Sequence, residues 1–151
     1  MGFDTPSGSH GGRQPGGLAL RLVNSVAARW IRRRGAIGGT RALILHTVGR
    51  KSGEPRTSPV NWFPGPDGSR IIVASAAGAP KHPAWYHNIG AHPDQVAIEV
   101  DGATIPVVAA ELEGAEREQV WAEISGASAQ FAGYQEKTDR RLPVIRLSPR
   151  V

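Results

Sequence analysis

Between Ala42 and Leu147 turn-forming residues interrupt the chain so often that the apolar runs have room only for short strands. Ala42–Thr47, Arg56–Phe63 and Arg70–Ser75 read as the first three, with Pro64-Gly65-Pro66-Asp67-Gly68-Ser69 looping between the second and third. Gln95–Val100 and Thr104–Ala110 flank Asp101-Gly102, a strong hairpin signal, and Leu142–Leu147 supplies the last strand. Pro83–His92 and Gly114–Ile124 read as helices, the second with Leu112, Val120, Trp121 and Ile124 toward the sheet; Ser125–Thr138, small and polar, reads as a loop or lid. About six strands with helices at the margins predict a small barrel of the α+β class, and residues 35–151 of this 151-residue chain make one domain.

Charge is unevenly distributed. Residues 1–41 hold seven Arg against one Asp, whereas the remainder holds eleven cations against twelve anions. Residues 1–17 are rich in Gly, Ser and Pro without apolar periodicity, which predicts a disordered arm. Leu18–Arg34 reads as an amphipathic helix, with Ala19, Leu22, Val23, Val26, Ala27, Trp30 and Ile31 on one side and Arg21, Arg29, Arg32 and Arg33 on the other. Such a helix packs on the body or makes peripheral contact with an anionic membrane; without an accompanying binding motif, nucleic acid is not indicated. No cysteine is present, which excludes disulfides, thiolate metal sites and thiol nucleophiles and suits a cytoplasmic setting, with the inner membrane face open through the basic helix. No apolar run reaches the length of a signal peptide or membrane span.

Two clusters carry chemistry. Thr47-Val48-Gly49-Arg50-Lys51-Ser52-Gly53-Glu54-Pro55-Arg56 lies on the turn between the first two strands. There Gly49 and Gly53 permit positive φ, Arg50 and Arg56 can fork onto phosphate or carboxylate oxygens, and Lys51 adds a point charge. The loop lacks the G-x-x-x-x-G-K-[ST] spacing of a nucleotide-binding loop. The second cluster is the strand Ile71-Ile72-Val73-Ala74-Ser75, which breaks into Ala76-Ala77-Gly78-Ala79, four residues without bulk, before Lys81-His82-Pro83-Ala84-Trp85-Tyr86-His87-Asn88. Small residues at a strand end admit a planar ring, the helix opening at Pro83 presents free N–H groups, and Trp85 and Tyr86 can wall a ring. His82, His87 and His92 recur every fifth residue, which spreads them around a helix and argues against a metal site. No G-x-S-x-G elbow marks a hydrolase.

These two clusters, followed by Tyr134-Gln135 and Thr138-Asp139-Arg140, resemble the deazaflavin-dependent nitroreductase family from about Arg41 to Leu147. The resemblance implies a split β-barrel of the flavin-reductase type that binds reduced coenzyme F-420, a deazaflavin with a phospholactyl-oligoglutamate tail. It also implies hydride transfer to a lipophilic quinone, activated enone or nitroaromatic, with a homodimer as a further expectation. By the same resemblance Arg50, Lys51 and Arg56 take the phosphate and tail carboxylates, with Ser52, Gly53 and Glu54 beside them. Val73, Ala74, Ser75, Ala76 and Ala77 line the deazaflavin or its polyol, Trp85 and Asn88 bound the ring, and Phe131–Tyr134 folds over the acceptor. The cofactor does the chemistry, and Tyr134, Ser75 or water supplies the proton. The chain departs from nitroimidazole-activating relatives by carrying Asn61, Ser128 and Phe131 where they carry tyrosines. It also has Ala76 where many place lysine; Lys81 lies too far along to substitute without a bend. The alternatives are an FMN-dependent reductase on the same barrel and a cofactor- or lipid-binding barrel without turnover.

Overall fold

The computed structural model describes residues 3–9, 11, 17–37 and 40–150, the backbone alone for 17–23 and 37. Among these residues eight strands and four α-helices follow in the order α1 (Gly17–Arg34), β1 (Ala36–Ile37), β2 (Thr40–Val48), β3 (Pro55–Asn61), β4 (Phe63–Pro64), β5 (Arg70–Val73), α2 (Ala84–Ala91), β6 (Ala97–Val100), β7 (Ala103–Glu111), α3 (Gly114–Ala127), α4 (Ala129–Lys137) and β8 (Val144–Pro149). All six expected segments contain a strand. The count rises to eight because β1 was not foreseen and because the second segment breaks at Trp62 into β3 and β4.

That break shapes the sheet. The strands run β1-β2-β6-β7-β8-β5-β4, with β3 on β2. Ile44, Leu45 and His46 pair with both β3 and β6, so those two strands occupy opposite edges of β2. On the far side of Trp62 the chain continues as β4, which pairs with β5 at the other end of the path. One kinked segment thus joins both ends of an antiparallel sheet and curls it into a half-barrel around Leu43, Leu45, Ile72, Tyr86, Ile98 and Ile145, all essentially buried. The turn Asp101-Gly102 adopts φ of 51° and 78°, as a two-residue hairpin between β6 and β7 requires.

Three expectations change here. Ser125–Thr138 is mostly helix: the Ser128 hydroxyl accepts from Phe131 N–H (3.4 Å) and opens α4, and Phe131 anchors it in a cluster with Ile71, Val73 and Leu142. Helix α1 buries Ala28 and Ile31 against Ala42 and Ile44, and Arg32 bonds Glu99 on β6 (2.9 Å); Val26 and Trp30, assigned to the packed side, are 69% and 50% exposed. The side chains of Ala19, Arg21, Leu22 and Val23 lie outside the described residues. The N-terminal stretch, expected to be disordered, touches the body at several described residues: Phe3 meets the Tyr86 ring edge-on, Thr5 bonds Tyr86 and Glu111, and Ser9 bonds Asp139.

Candidate functional site

β2 and β3 are joined by residues 49–54, a loop closed by Gly49 N–H to Glu54 O (2.8 Å) and Gly53 N–H to Gly49 O (2.9 Å). Gly53 takes φ 70° as expected. Gly49 does not enter the left-handed region; a Cβ there would push aside the Ser52 hydroxyl that steadies Arg56. The Ser52 hydroxyl accepts from Glu54 N–H and from Arg56 Nη2, both at 3.2 Å, and so steadies the Arg56 guanidinium over the loop. Among the described residues the Arg50 and Lys51 side chains have no hydrogen-bond or ion-pair partner, so two cations stay available to an anion.

Asn88 on α2 ties this loop to the rest of the site. Its Oδ1 accepts from Arg50 N–H (2.9 Å), and its Nδ2 reaches Thr47 Oγ1 (3.4 Å). The amide expected to bound a ring also holds the cationic loop in place.

The second cluster begins where β5 stops. Strand alternation turns Val73 and Ser75 to one side and Ala74, fully buried, to the other. Ser75 is right-handed (φ −81°, ψ −35°), and Ala76, Ala77 and Gly78 follow at φ 46°, 55° and 78°. Each left-handed alanine costs about 1–2 kcal/mol. The right-to-left reversal turns successive N–H groups to one side, the backbone nest that suits an anion or a ligand carbonyl. Gly78 is required on two counts, since a Cβ at its positive φ would also lie 2.8 Å from Tyr134 O on α4.

Both clusters open onto one cleft of about 580 Å³. The hairpin contributes Arg50, Lys51, Ser52 and Arg56; the strand end contributes Val73, Ser75, Ala76 and Ala77; the helices contribute Trp85, Asn88 and Tyr134. Gly53 and Glu54, exposed at the loop tip, do not line it, nor does Ala74. Tyr86 is no ring wall: it is fully buried, donates to Glu111 Oε1 (2.5 Å), and has its phenol pushed well up by desolvation and then by Glu111.

Residues 23–149 match the family model described as F420H(2)-dependent quinone reductase. The chain belongs to that family. An F420H(2)-dependent quinone reductase of Mycobacterium tuberculosis is 34% identical over 117 residues, spanning 75% of this chain and 76% of the relative. A solved F420-H2 dependent reductase is 39% identical with a TM-score of 0.62, covering 71% of this chain and 93% of its own. A second solved relative, described as a domain-swapped dimer, is 34% identical with a TM-score of 0.63, covering 86% and 99%. The cofactor of this family is coenzyme F-420.

The residues present fit that group. Reduced F-420 is long, flat and anionic, and the cleft offers unpartnered cations, a backbone nest and an indole along one continuous surface. Phe131 and Tyr134 pack edge to face (5.5 Å) and both line the cleft with Asn61. Ser128 is spent on capping α4. The chain does bend at Ala76–Gly78, yet Lys81 faces a neighbouring cavity of about 400 Å³ beside His82 and His87, with Arg50 on the shared wall.

Both histidines are held neutral by their surroundings. His82 is lowered chiefly by burial; its Nδ1 accepts from Arg140, and its Nε2 donates to Thr5 O (2.6 Å). His87 is lowered by burial and then by the Arg50 charge. Among the described residues no three His, Asp or Glu side chains gather as a metal site would need. Sequence reasoning missed Asn24 of α1, Ser58 and Val60 of β3, and Ala84, all of which line the cleft, because nothing local announces which face of an element a distant neighbour leaves open.

Proposed function

We propose that this chain reduces a quinone with coenzyme F-420, and that Arg50, Lys51 and Arg56 hold the cofactor's phosphate and carboxylates while Ser75–Ala77 and Trp85 seat its ring. The observation that carries the reading is the single cleft shared by the cationic hairpin and the bulk-free strand end. When bound, the reduced cofactor supplies a hydride. The protein then has to present the acceptor and deliver a proton to its oxygen, so that quinone becomes hydroquinone. Gln130 Nε2 donates to Tyr134 Oη (2.6 Å), which leaves the phenol's own proton free for an acceptor in the cleft that Tyr134 lines. The Ser75 hydroxyl, without an intramolecular partner among the described residues, is the second donor. Phe131 supplies an apolar wall that suits a lipophilic ring. Activated enones and nitroaromatics meet the same wall and the same donors, so they belong to the same proposal.

Helix α1 favours a membrane surface as the place where such an acceptor is met. Val26 and Trp30 stand exposed, with Arg34 4.4 Å from the indole centroid and Arg29 and Arg33 also exposed. No described helix is long and apolar enough to cross a membrane. Sedimentation with anionic liposomes should weaken for a Val26→Ser, Trp30→Ser double variant; unchanged sedimentation removes this part of the reading.

Steady-state oxidation of reduced F-420 by menadione, by an enone and by a nitroaromatic tests the activity. Tyr134→Phe is expected to lower kcat about 100-fold if the phenol is the main donor, and Ser75→Ala less. Cofactor binding without turnover of any acceptor would leave a carrier barrel in place of an enzyme.

A further inference from the structure

The strained turn that lines the cleft does not hold itself. Ala76 and Ala77 are left-handed without being glycine, so something outside the turn has to fix them there. Arg140, which does not line the cleft, does so. The residue is 2% exposed and its guanidinium spreads over the turn's flanks: Nε donates to Ala79 O (2.7 Å), Nη1 to Ala74 O (2.9 Å) and Nη2 to Ser75 O (2.6 Å). Nη1 also meets His82 Nδ1 (2.9 Å). The backbone of Arg140 is fixed in turn by α4, where Gln135 Nε2 donates to Arg140 O (2.7 Å) and Gln135 Oε1 accepts from Leu142 N–H (3.1 Å).

A buried guanidinium bonded to no carboxylate among the described residues is an unusual use of charge. Burial pushes its pKa down to about 10, which still leaves it charged at neutral pH. The same geometry fixes the imidazole: with Nδ1 accepting, His82 must carry its proton on Nε2, which donates to Thr5 O. Arg140 does not line the cleft, so it reaches a bound cofactor only through the turn.

We infer that Arg140 is a positioning residue for the cofactor, bracketing Ser75–Ala77 through the Ala74, Ser75 and Ala79 carbonyls so that the backbone nest is formed before F-420 arrives. The inference rests on the proposed seat of F-420 in this cleft. Lysine cannot replace it, because a single ammonium cannot reach carbonyls on both flanks of the turn at once.

The test uses the full chain with Arg140→Lys and Arg140→Ala. F-420 affinity, followed by tryptophan fluorescence, should fall about tenfold in both, the size expected when buried carbonyls lose their donor. KM for the quinone at saturating F-420 should stay within twofold of the unaltered chain. Amide exchange at Gly78 and Ala79, whose N–H groups bond Ser75 O and Ala76 O, should quicken while the β2 and β6 amides keep their protection. Methylguanidinium should restore F-420 affinity to Arg140→Ala. If Arg140→Ala does not fold, Arg140→Lys carries the affinity, KM and exchange measurements. Folded variants that bind F-420 as the unaltered chain does, or that lose protection evenly across the sheet, overturn the inference. Failure of the unaltered chain to bind F-420 would instead overturn the proposed function.

Discussion

Removing the amide of Asn88 separates the cationic loop from the helix that holds it. In Asn88→Ala the Arg50 N–H loses its acceptor at 2.9 Å, and the longer 3.4 Å contact with Thr47 goes with it. A buried donor left without a partner costs about 1–3 kcal/mol, and the low end applies because the Arg50 side chain is exposed and water can reach the amide as the loop shifts. About 1 kcal/mol corresponds to roughly 2–4 °C in Tm for a domain of this size. Loosening the loop should also weaken F-420 about tenfold, equivalent to about 1.4 kcal/mol, since Arg50 and Lys51 no longer start from a fixed position. Asn88→Asp separates the two effects: a carboxylate still accepts from Arg50 N–H but sets a negative charge where an anionic cofactor must pass. It should therefore bind F-420 more weakly than Asn88→Ala despite keeping the loop in place. Fluorescence titration and thermal melts of the three proteins read both quantities. Asn88→Ala binding within twofold of the unaltered chain, or Asn88→Asp binding more tightly than Asn88→Ala, would refute the reasoning.

Gly78→Ala adds a Cβ at φ 78° only 2.8 Å from Tyr134 O, so it should cost about 1–3 kcal/mol and displace α4 from the turn; melting that matches the unaltered chain would contradict this. His82 and His87 are both lowered, so the unfolded chain binds the proton first as pH falls. Their contribution to stability is therefore complete above about pH 6.5 and is lost as pH drops from there toward the lowered folded values, which denaturant midpoints across that range should show. F-420 affinity should fall steeply as salt rises, because the loop cations are exposed, and a flat salt profile would remove the electrostatic grip.

The hairpins were legible because their signals are local: Asp101-Gly102 needs only two residues to declare its turn. The basic loop and the bulk-free strand end could likewise be read directly, and both face the cleft. What could not be read depended on direction or distance. Trp85 and Tyr86 are neighbours on α2, about 100° apart around its axis, so Trp85 reaches the cleft from the edge of the core while Tyr86 lies wholly within it. Strand alternation separates Ala74 from Val73 and Ser75 in the same way. Helix α4 carries glycine at position 133 and little apolar periodicity; its Ser128 cap and its contact with the Ala76–Gly78 turn support it. Arg140 lies more than sixty residues from each carbonyl it holds, and no spacing rule in a single sequence reveals such a bond.

The most direct test is a competitive titration of the purified chain with F-420 and FMN, following the fluorescence of Trp85 with Trp85→Phe as the control. The account predicts saturable quenching by F-420 that FMN does not displace, lost in Trp85→Phe and shifted to much higher ligand concentration in an Arg50→Ala, Arg56→Ala double variant. Displacement of F-420 by equimolar FMN, or full affinity without the two arginines, would contradict it.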